Sequence, residues 1–392
     1  MQTQTDLTND NALLWLRARP VASGGRYSRM TNTGKTVTDI RPAKPLRIGL
    51  LVPFHGSDAI WGPSCQYSAV LAAAEINRSS ELQIELFAAD AGGDPQQVVA
   101  RSWQLFKEHQ VDVLVGVHLS SVRVALREAF AGIIPYVFAP LYEGGENTPG
   151  VYAIGETPHQ QFPAAIYWMM KNLKAQRWFI VGNDYIWPRA SHDAVRNIIQ
   201  RNNGEIVGED YLGLGQTNIG QVINNIKKSN PDIVFVSLVG TDCVLFNRAF
   251  AKSGLSGRVL RLSGSIEENI LMGIGSGHNH NLYCAASYFN SLDTAENRHF
   301  MNQYRAAFGQ HAPVQSVLSQ SCYEAIHFFS ALVKRAGGLS LSSLNSAYEG
   351  LRYQSVRGHQ QVVQGCLTPT IYLAKARDLH FEIVQALPPL PG

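Results

Sequence analysis

LRIGLLVPF, residues 46–54, is an unbroken apolar run of the kind that forms a buried strand. The segments after it alternate in type. SCQYSAVLAAAEINR has the spacing of a helix and LQIELFAADA that of a strand. DPQQVVARSWQLFKEH follows as a helix, with Asp94 as its N-cap and Pro95 at its first helical position. VDVLVGV, SSVRVALREAFA and IPYVFAP continue as strand, helix, strand. This βαβαβαβ order predicts an α/β fold, a parallel sheet with helices on both faces.

A break follows at YEGGENTPG, residues 142–150, rich in Gly, Asn and Pro. The alternation then restarts. VYAIG is a strand, and Thr157-Pro158 open the helix HQQFPAAIYWMMKN. WFIVG, DIVFVSLVG, VLRLSG and LYCAASYF are further strands, with helices predicted at PRASHDAVRNIIQRNNG, NIGQVINNIKKSN and TDCVLFNRAFAKSG. Two similar parallel units in tandem predict two lobes. The length of 392 residues agrees, because one core rarely grows so large. Beyond Phe289 the pattern is helical, until TPTIYLAKARDLHFEIVQAL closes the chain as a hairpin around ARDL.

The composition is 45% hydrophobic and 16% charged, with no apolar stretch long enough to span a membrane. Residues 1–47 carry eight Lys or Arg against Asp6, Asp10 and Asp39. That is +5 of a chain total of +3, which leaves −2 for the body. A basic arm, residues 1–45, therefore precedes a nearly neutral body. It is either solvated or docked on an acidic partner, and direct nucleic-acid binding is not expected. The start, MQTQTDLTNDNALLWLRARP, lacks the basic and apolar regions of an export signal. Cys65, Cys243, Cys284, Cys322 and Cys366 are odd in number and never in CxxC spacing. They read as free thiols, and both features point to a cytoplasmic location.

Enzyme signatures fail. There is no GxSxG and no HExxH, and TGKT at 33–36 lacks the first glycine of a phosphate loop. His278 and His280 have no third ligand in reach, so neither a metal nor a cofactor is expected. What remains is a set of polar and aromatic residues just after predicted strands. In an open parallel sheet, those carboxyl ends form the ligand crevice. They include His118, Ser120 and Ser121, then Pro140 and Tyr142, then Tyr185 and Trp187, then Thr241. Ser120 and Ser121 either cap a helix or offer donors to a ligand. In VGNDYIWPRAS, residues 181–191, Tyr185 and Trp187 either wall a pocket or pack at the lobe interface.

YEGGENTPG, YAIGETPHQQ, GNDYIWPRAS and SLDTAENRHFMNQYRAAFG together resemble the amide- and urea-binding branch of the type I periplasmic-binding-protein fold. That branch holds urea and short-chain amide-binding proteins of ABC transporters and a cytoplasmic amide sensor that regulates an amidase operon. The resemblance spans roughly residues 46–385. It implies two Rossmann-like lobes joined by three crossovers, with the late helices returning to the first lobe. The implied division is 46–156 plus 287–357 for the first lobe, and 157–286 plus 358–392 for the second lobe and hinge hairpin. It implies ligand-binding roles for Ser120, Tyr185 and Thr241. His118 and Phe138 stand where the amide sensor has tyrosines, and Trp187 replaces a tyrosine. The expected function is a non-enzymatic protein that closes over a small neutral polar molecule, an amide, urea or related compound. Two roles follow. One is a cytoplasmic sensor acting through an antitermination or other transcriptional regulator, expected as a homo-oligomer. The other is the solute-binding subunit of an amide/urea-type ABC importer, working with a permease.

Overall fold

The computed structural model describes residues 44–79, 82–216 and 218–387. The basic arm and its TGKT string lie outside the described residues, apart from Lys44 and Pro45. The opening apolar run is β1 (Leu46–Val52), buried at every position except Arg47. It pairs in parallel with β2 (Ile84–Asp90) on one side and β3 (Val113–Gly116) on the other. β4 (Tyr136–Phe138) and β5 (Val151–Ala153) extend the sheet, again in parallel, in the order β2-β1-β3-β4-β5. Helices α1 (Gly62–Ser79), α2 (Pro95–His109) and α3 (Ser120–Phe130) make the crossovers. Asp94 caps α2 as predicted, accepting from the N–H groups of Gln96 and Gln97.

The second lobe repeats this plan. β6 (Arg177–Asn183), β7 (Glu205–Leu212), β8 (Ile233–Ser237), β9 (Leu260–Ser263) and β10 (Leu282–Ala286) are parallel in the order β7-β6-β8-β9-β10. That is the strand order of the first lobe. The helix predicted from Thr157 is split into α4 (Pro158–Gln161) and α5 (Pro163–Leu173). Pro163 has no N–H to continue the first piece, so the chain restarts at Phe162. The other helices are α6 (Ile186–Arg201), α7 (Ile219–Ser229), α8 (Gly240–Lys252) and α9 (Glu268–Ile274).

The chain then returns. α10 (Ala295–Phe308), α11 (Val317–Ala336) and α12 (Leu341–Tyr348) follow β10, and α11 packs along α1 and against β3 and β4 of the first lobe. A small sheet missed by the sequence reading comes next: β11 (Arg352–Ser355), β12 (Gly358–Val363) and β13 (Cys366–Leu367). Its inward positions in β11 and β12 include Ser355 and Gln360, so buried polar residues hide the alternation of period two. The division expected between 357 and 358 falls in the turn of the β11–β12 hairpin. Those two strands hydrogen-bond to each other, so the small sheet is one unit across it. The closing hairpin, β14 (Ile371–Arg377) and β15 (His380–Leu387), adds antiparallel to β10, as an extension of the second sheet.

The chain passes between lobes three times: after β5, after β10 and after β13. One guanidinium ties these passages together. Arg357 Nε and Nη2 donate to Glu324 on α11 at 2.8 and 2.7 Å, and its Nη1 donates to the Ser287 hydroxyl at 2.9 Å. Ser287, on the second passage, donates to Glu156 on the first, from its N–H at 3.1 Å and its hydroxyl at 2.9 Å. Gln160, in α4, donates to the Leu367 carbonyl at the third, 2.7 Å away. Tyr353 and Ser355 also donate to Glu324, each at 2.6 Å. Burial alone would raise the Glu324 carboxyl, but Arg357 beside it outweighs this and holds it below the usual range. Arg357→Leu removes the cation that Glu324 and Glu156 share in a dry site. It is expected to cost about 3–5 kcal/mol, read as a lower urea midpoint, and an unchanged midpoint would refute the role given to this arginine.

Candidate functional site

In each sheet the strand order reverses direction once, between β1 and β3 and between β6 and β8. Ligands of such sheets bind outside the carboxyl ends of the strands at this switch point. A cavity lies where the two switch points face each other. It is lined by Trp61 after β1, by His118, Leu119 and Ser120 after β3, and by Pro140 and Leu141 after β4. The second lobe adds Tyr185 and Trp187 after β6, Val239 after β8 and Ser265 after β9, and α11 adds Leu318. The space is about 30 Å³, room for roughly two waters, so a solute of several heavy atoms fits only with the lobes or the lining side chains further apart. This is a closed arrangement of the lobes.

The scaffold behind each side chain is hydrogen-bonded. Asp90, at the end of β2, accepts from the N–H groups of Phe54 and Gly92 at 2.7 and 3.0 Å, and from His55 Nδ1 at 2.8 Å. This anchors the loop that carries Trp61. Asn183, at the end of β6, accepts from the Val239 N–H at 2.9 Å and donates to Asp242 at 2.9 Å, which joins the strand ends around Tyr185. His118 is buried, which holds its pKa down to about 4 and leaves the ring neutral. Its Nδ1 donates to the Leu119 carbonyl at 3.1 Å, so its Nε2 accepts from the Tyr136 hydroxyl at 3.0 Å. Both ring nitrogens are therefore engaged. Ser120 is the first residue of α3, behind the N-cap Leu119. The Tyr185 hydroxyl is held well above its ordinary range by burial and then by Asp58 and Glu143, so it stays protonated and able to donate.

Five of the nine expected site residues meet at the cavity: His118, Ser120, Pro140, Tyr185 and Trp187. Four do not line it. Thr241 gives both its N–H and its hydroxyl to the Ser57 carbonyl of the first lobe, at 2.8 and 3.3 Å, so it joins the lobes. Phe138 is fully buried behind His118, with ring centroids 5.3 Å apart. Tyr142 packs behind Phe138 and beside Arg123. Ser121 follows Ser120 by a rotation of about 100° on the helix and misses the cavity. Trp61 was not read as a site residue, although it has a signal. Ile60-Trp61-Gly62-Pro63 opens the helix after β1 much as Ile186-Trp187-Pro188 opens the helix after β6.

No lining residue is charged. The second lobe holds a relay of Ser237 Oγ to His192 Nε2 at 2.7 Å and His192 Nδ1 to Glu209 at 2.9 Å. Ser237 and His192 are both 0% exposed, so the relay meets no substrate and serves as a core network. No group of three metal-ligating side chains exists among the described residues, and no helix among them is long and apolar enough to cross a membrane.

Residues 45–378 match the periplasmic binding protein family, to which the chain belongs. An amino acid binding protein of Pseudomonas aeruginosa is 22% identical over 232 residues, 57% of this chain and 62% of its own length. The match thus spans less than two thirds of that relative. Among solved structures, a solute-binding protein of an ABC transporter from Rhodopseudomonas palustris HaA2, in complex with p-hydroxybenzoic acid, superposes with a TM-score of 0.78 at 21% identity. The match covers 88% of this chain and 98% of that one. A leucine binding protein from Thermotoga maritima gives 0.76 at 15% identity, over 88% and 99% of the two chains. The fold is that of type I periplasmic binding proteins, whose members here are solute-binding proteins and not enzymes.

Asp58 lies in the first-lobe loop that reaches the second lobe. Its residue is 2% exposed and its Oδ2 has no partner. Burial raises its pKa to about 7, its own backbone N–H opposes this, and Asp90 adds to it. The folded form thus binds a proton that the unfolded chain releases near pH 4. Stability from this group is present at low pH and is lost as pH rises toward and through 7. Asp58→Asn should therefore raise the melting temperature little at pH 5 and clearly at pH 8. A difference between variant and wild type that stays flat across this range would contradict the buried, unpartnered carboxyl.

Proposed function

We propose that the chain is the solute-binding component of an ABC-type importer, closing over a compact small molecule and delivering it to a permease. The observation that carries this reading is the cavity itself. It sits where both switch points meet, is walled by aromatic and aliphatic side chains, and offers the Ser120 and Tyr185 hydroxyls to one polar end of a ligand. Support for transport comes from the company the fold keeps, since the similar solved structures include ABC transporter binding proteins. The cytoplasmic amide-sensor role, with a transcriptional regulator as partner, draws on sequence resemblance alone and is the weaker reading. An amide suits the hydroxyl pair, and so does the carboxylate of an aromatic acid such as the Rhodopseudomonas protein holds.

The residues proposed to touch the ligand are His118, Ser120, Pro140, Tyr185 and Trp187, joined by Trp61. Thr241 acts at the closing edge. Ligand contacts made by both lobes favour the closed form, so binding and closure are one equilibrium. A thermal-shift screen of small carboxylates, amides, ureas and amino acids tests the reading. At least one class should raise the melting temperature in a saturable way. Ser120→Ala and Tyr185→Phe should each weaken that solute about three- to tenfold, the worth of one hydrogen bond. Affinities that ignore both substitutions would remove the cavity from the function.

A further inference from the structure

The polar inventory of the cavity is short. Of its lining side chains, His118 has both nitrogens engaged, and the Ser265 hydroxyl donates to the Leu238 carbonyl at 2.9 Å. Beyond the Ser120 and Tyr185 hydroxyls, the remaining polar atoms are two indole nitrogens. Trp61 is 5% exposed and Trp187 is 2% exposed, and the Nε1 of each is buried with no hydrogen-bond partner. A buried indole N–H usually finds an acceptor, and an unsatisfied one costs about 1–3 kcal/mol. The two indole rings line one cavity, one from each lobe. Trp61 ends the turn Ala59–Trp61 that leads into α1, and Trp187 lies in the first turn of α6. An indole nitrogen donates only, so neither ring can receive a hydrogen bond from a cationic group.

The lining contains no carboxylate to balance a positive charge. Asp58 and Glu143, whose charges reach the Tyr185 hydroxyl, are not lining residues. An ammonium group in this space would be stripped of water with no carboxylate lining the cavity beside it, a penalty of several kcal/mol. A carboxylate or an amide carbonyl meets the opposite situation, because donors are waiting for it. Resting on the solute-binding reading above, we propose that Trp61 and Trp187 are the specificity-determining pair of the cavity. They select a compact solute that brings hydrogen-bond acceptors and apolar surface and carries no ammonium group. The shared chemistry is the acceptor, and an acid and its amide both supply it. An amino acid of the same skeleton adds an ammonium group, for which no lining side chain offers a counter-charge.

The test uses the full chain and skeleton-matched probes. Isovalerate, isovaleramide and L-valine differ only at the polar end, and benzoate and benzamide provide a planar pair. Calorimetry should find saturable binding by an acid or an amide, with L-valine at least a hundredfold weaker than its two counterparts. Acid binding without amide binding would assign the acceptor to an anion, and the reverse would assign it to a neutral carbonyl. Either result supports the pair. Trp61→Phe and Trp187→Phe remove the N–H and replace the indole with a smaller phenyl ring. Each should raise the Kd of the bound probe about five- to tenfold, the worth of one hydrogen bond, and the melting temperature of each free variant separates this from a loss of packing. In the wild type, two indole N–H resonances should move on binding. L-valine binding as tightly as isovalerate, or Phe variants with wild-type Kd, would overturn the proposal. If a solute binds and responds to Ser120→Ala but not to the Phe variants, solute binding stands and this inference falls. If no probe or screened solute binds, both fall.

Discussion

The Arg357 guanidinium is the fixed point on which both lobes turn. It is 2% exposed and sits against Glu324, itself fully buried, and its partners extend to the Ser287 hydroxyl and the Ile154 carbonyl. Ser287 and Ile154 stand on two of the passages between lobes, and Glu324 belongs to the helix that returns to the first. Ion pairs this deep add little net stability, because dehydrating the charges nearly cancels their attraction. Their use here is geometric. A planar fork with five donors accepts only one arrangement of its partners, so the passages cannot slide past one another independently. Motion of the lobes is then confined to bending about this cluster, and the strand ends above it meet in register.

Closure has its own contacts. The Ser57 carbonyl of the first lobe receives the Thr241 N–H and hydroxyl of the second. Gly240, beside it, has φ of +53°, and a Cβ there would lie 1.9 Å from the Ser57 carbonyl oxygen. Only glycine lets the lobes come this close. Thr241 therefore joins the lobes from outside the cavity, whereas Ser120 and Tyr185 line it.

Much of this was legible in the chain because parallel sheets need buried strands on both faces, and β1, β3 and β8 are apolar almost without interruption. The same logic picks out Ser120, Tyr185 and Trp187, which line the cavity, since position after a strand is a property of local sequence. It failed where the decisive fact was three-dimensional. Whether Thr241 faces a ligand or a carbonyl depends on how far the lobes close. Phe138 and Tyr142 follow a strand as a ligand residue would, yet both lie in a second row behind His118. The β11–β13 sheet escaped because Ser355 and Gln360 are polar and nonetheless buried. Trp61 escaped because eight residues separate it from the end of β1, too far for a rule about strand ends.

The unpaired groups around the cavity bear on how the switch is balanced. The indole nitrogens of Trp61 and Trp187 and one carboxyl oxygen of Asp58 are buried with no partner in the protein. A ligand acceptor that meets such a donor adds about 0.5–1.5 kcal/mol per hydrogen bond. A shift from one part closed in a hundred to ninety-nine needs about 5.5 kcal/mol of differential affinity. Under the proposed function, hydrogen bonds to the indoles supply part of that difference, and apolar contacts made with both lobes supply the rest. Selectivity and closure are on this view two readings of the same contacts.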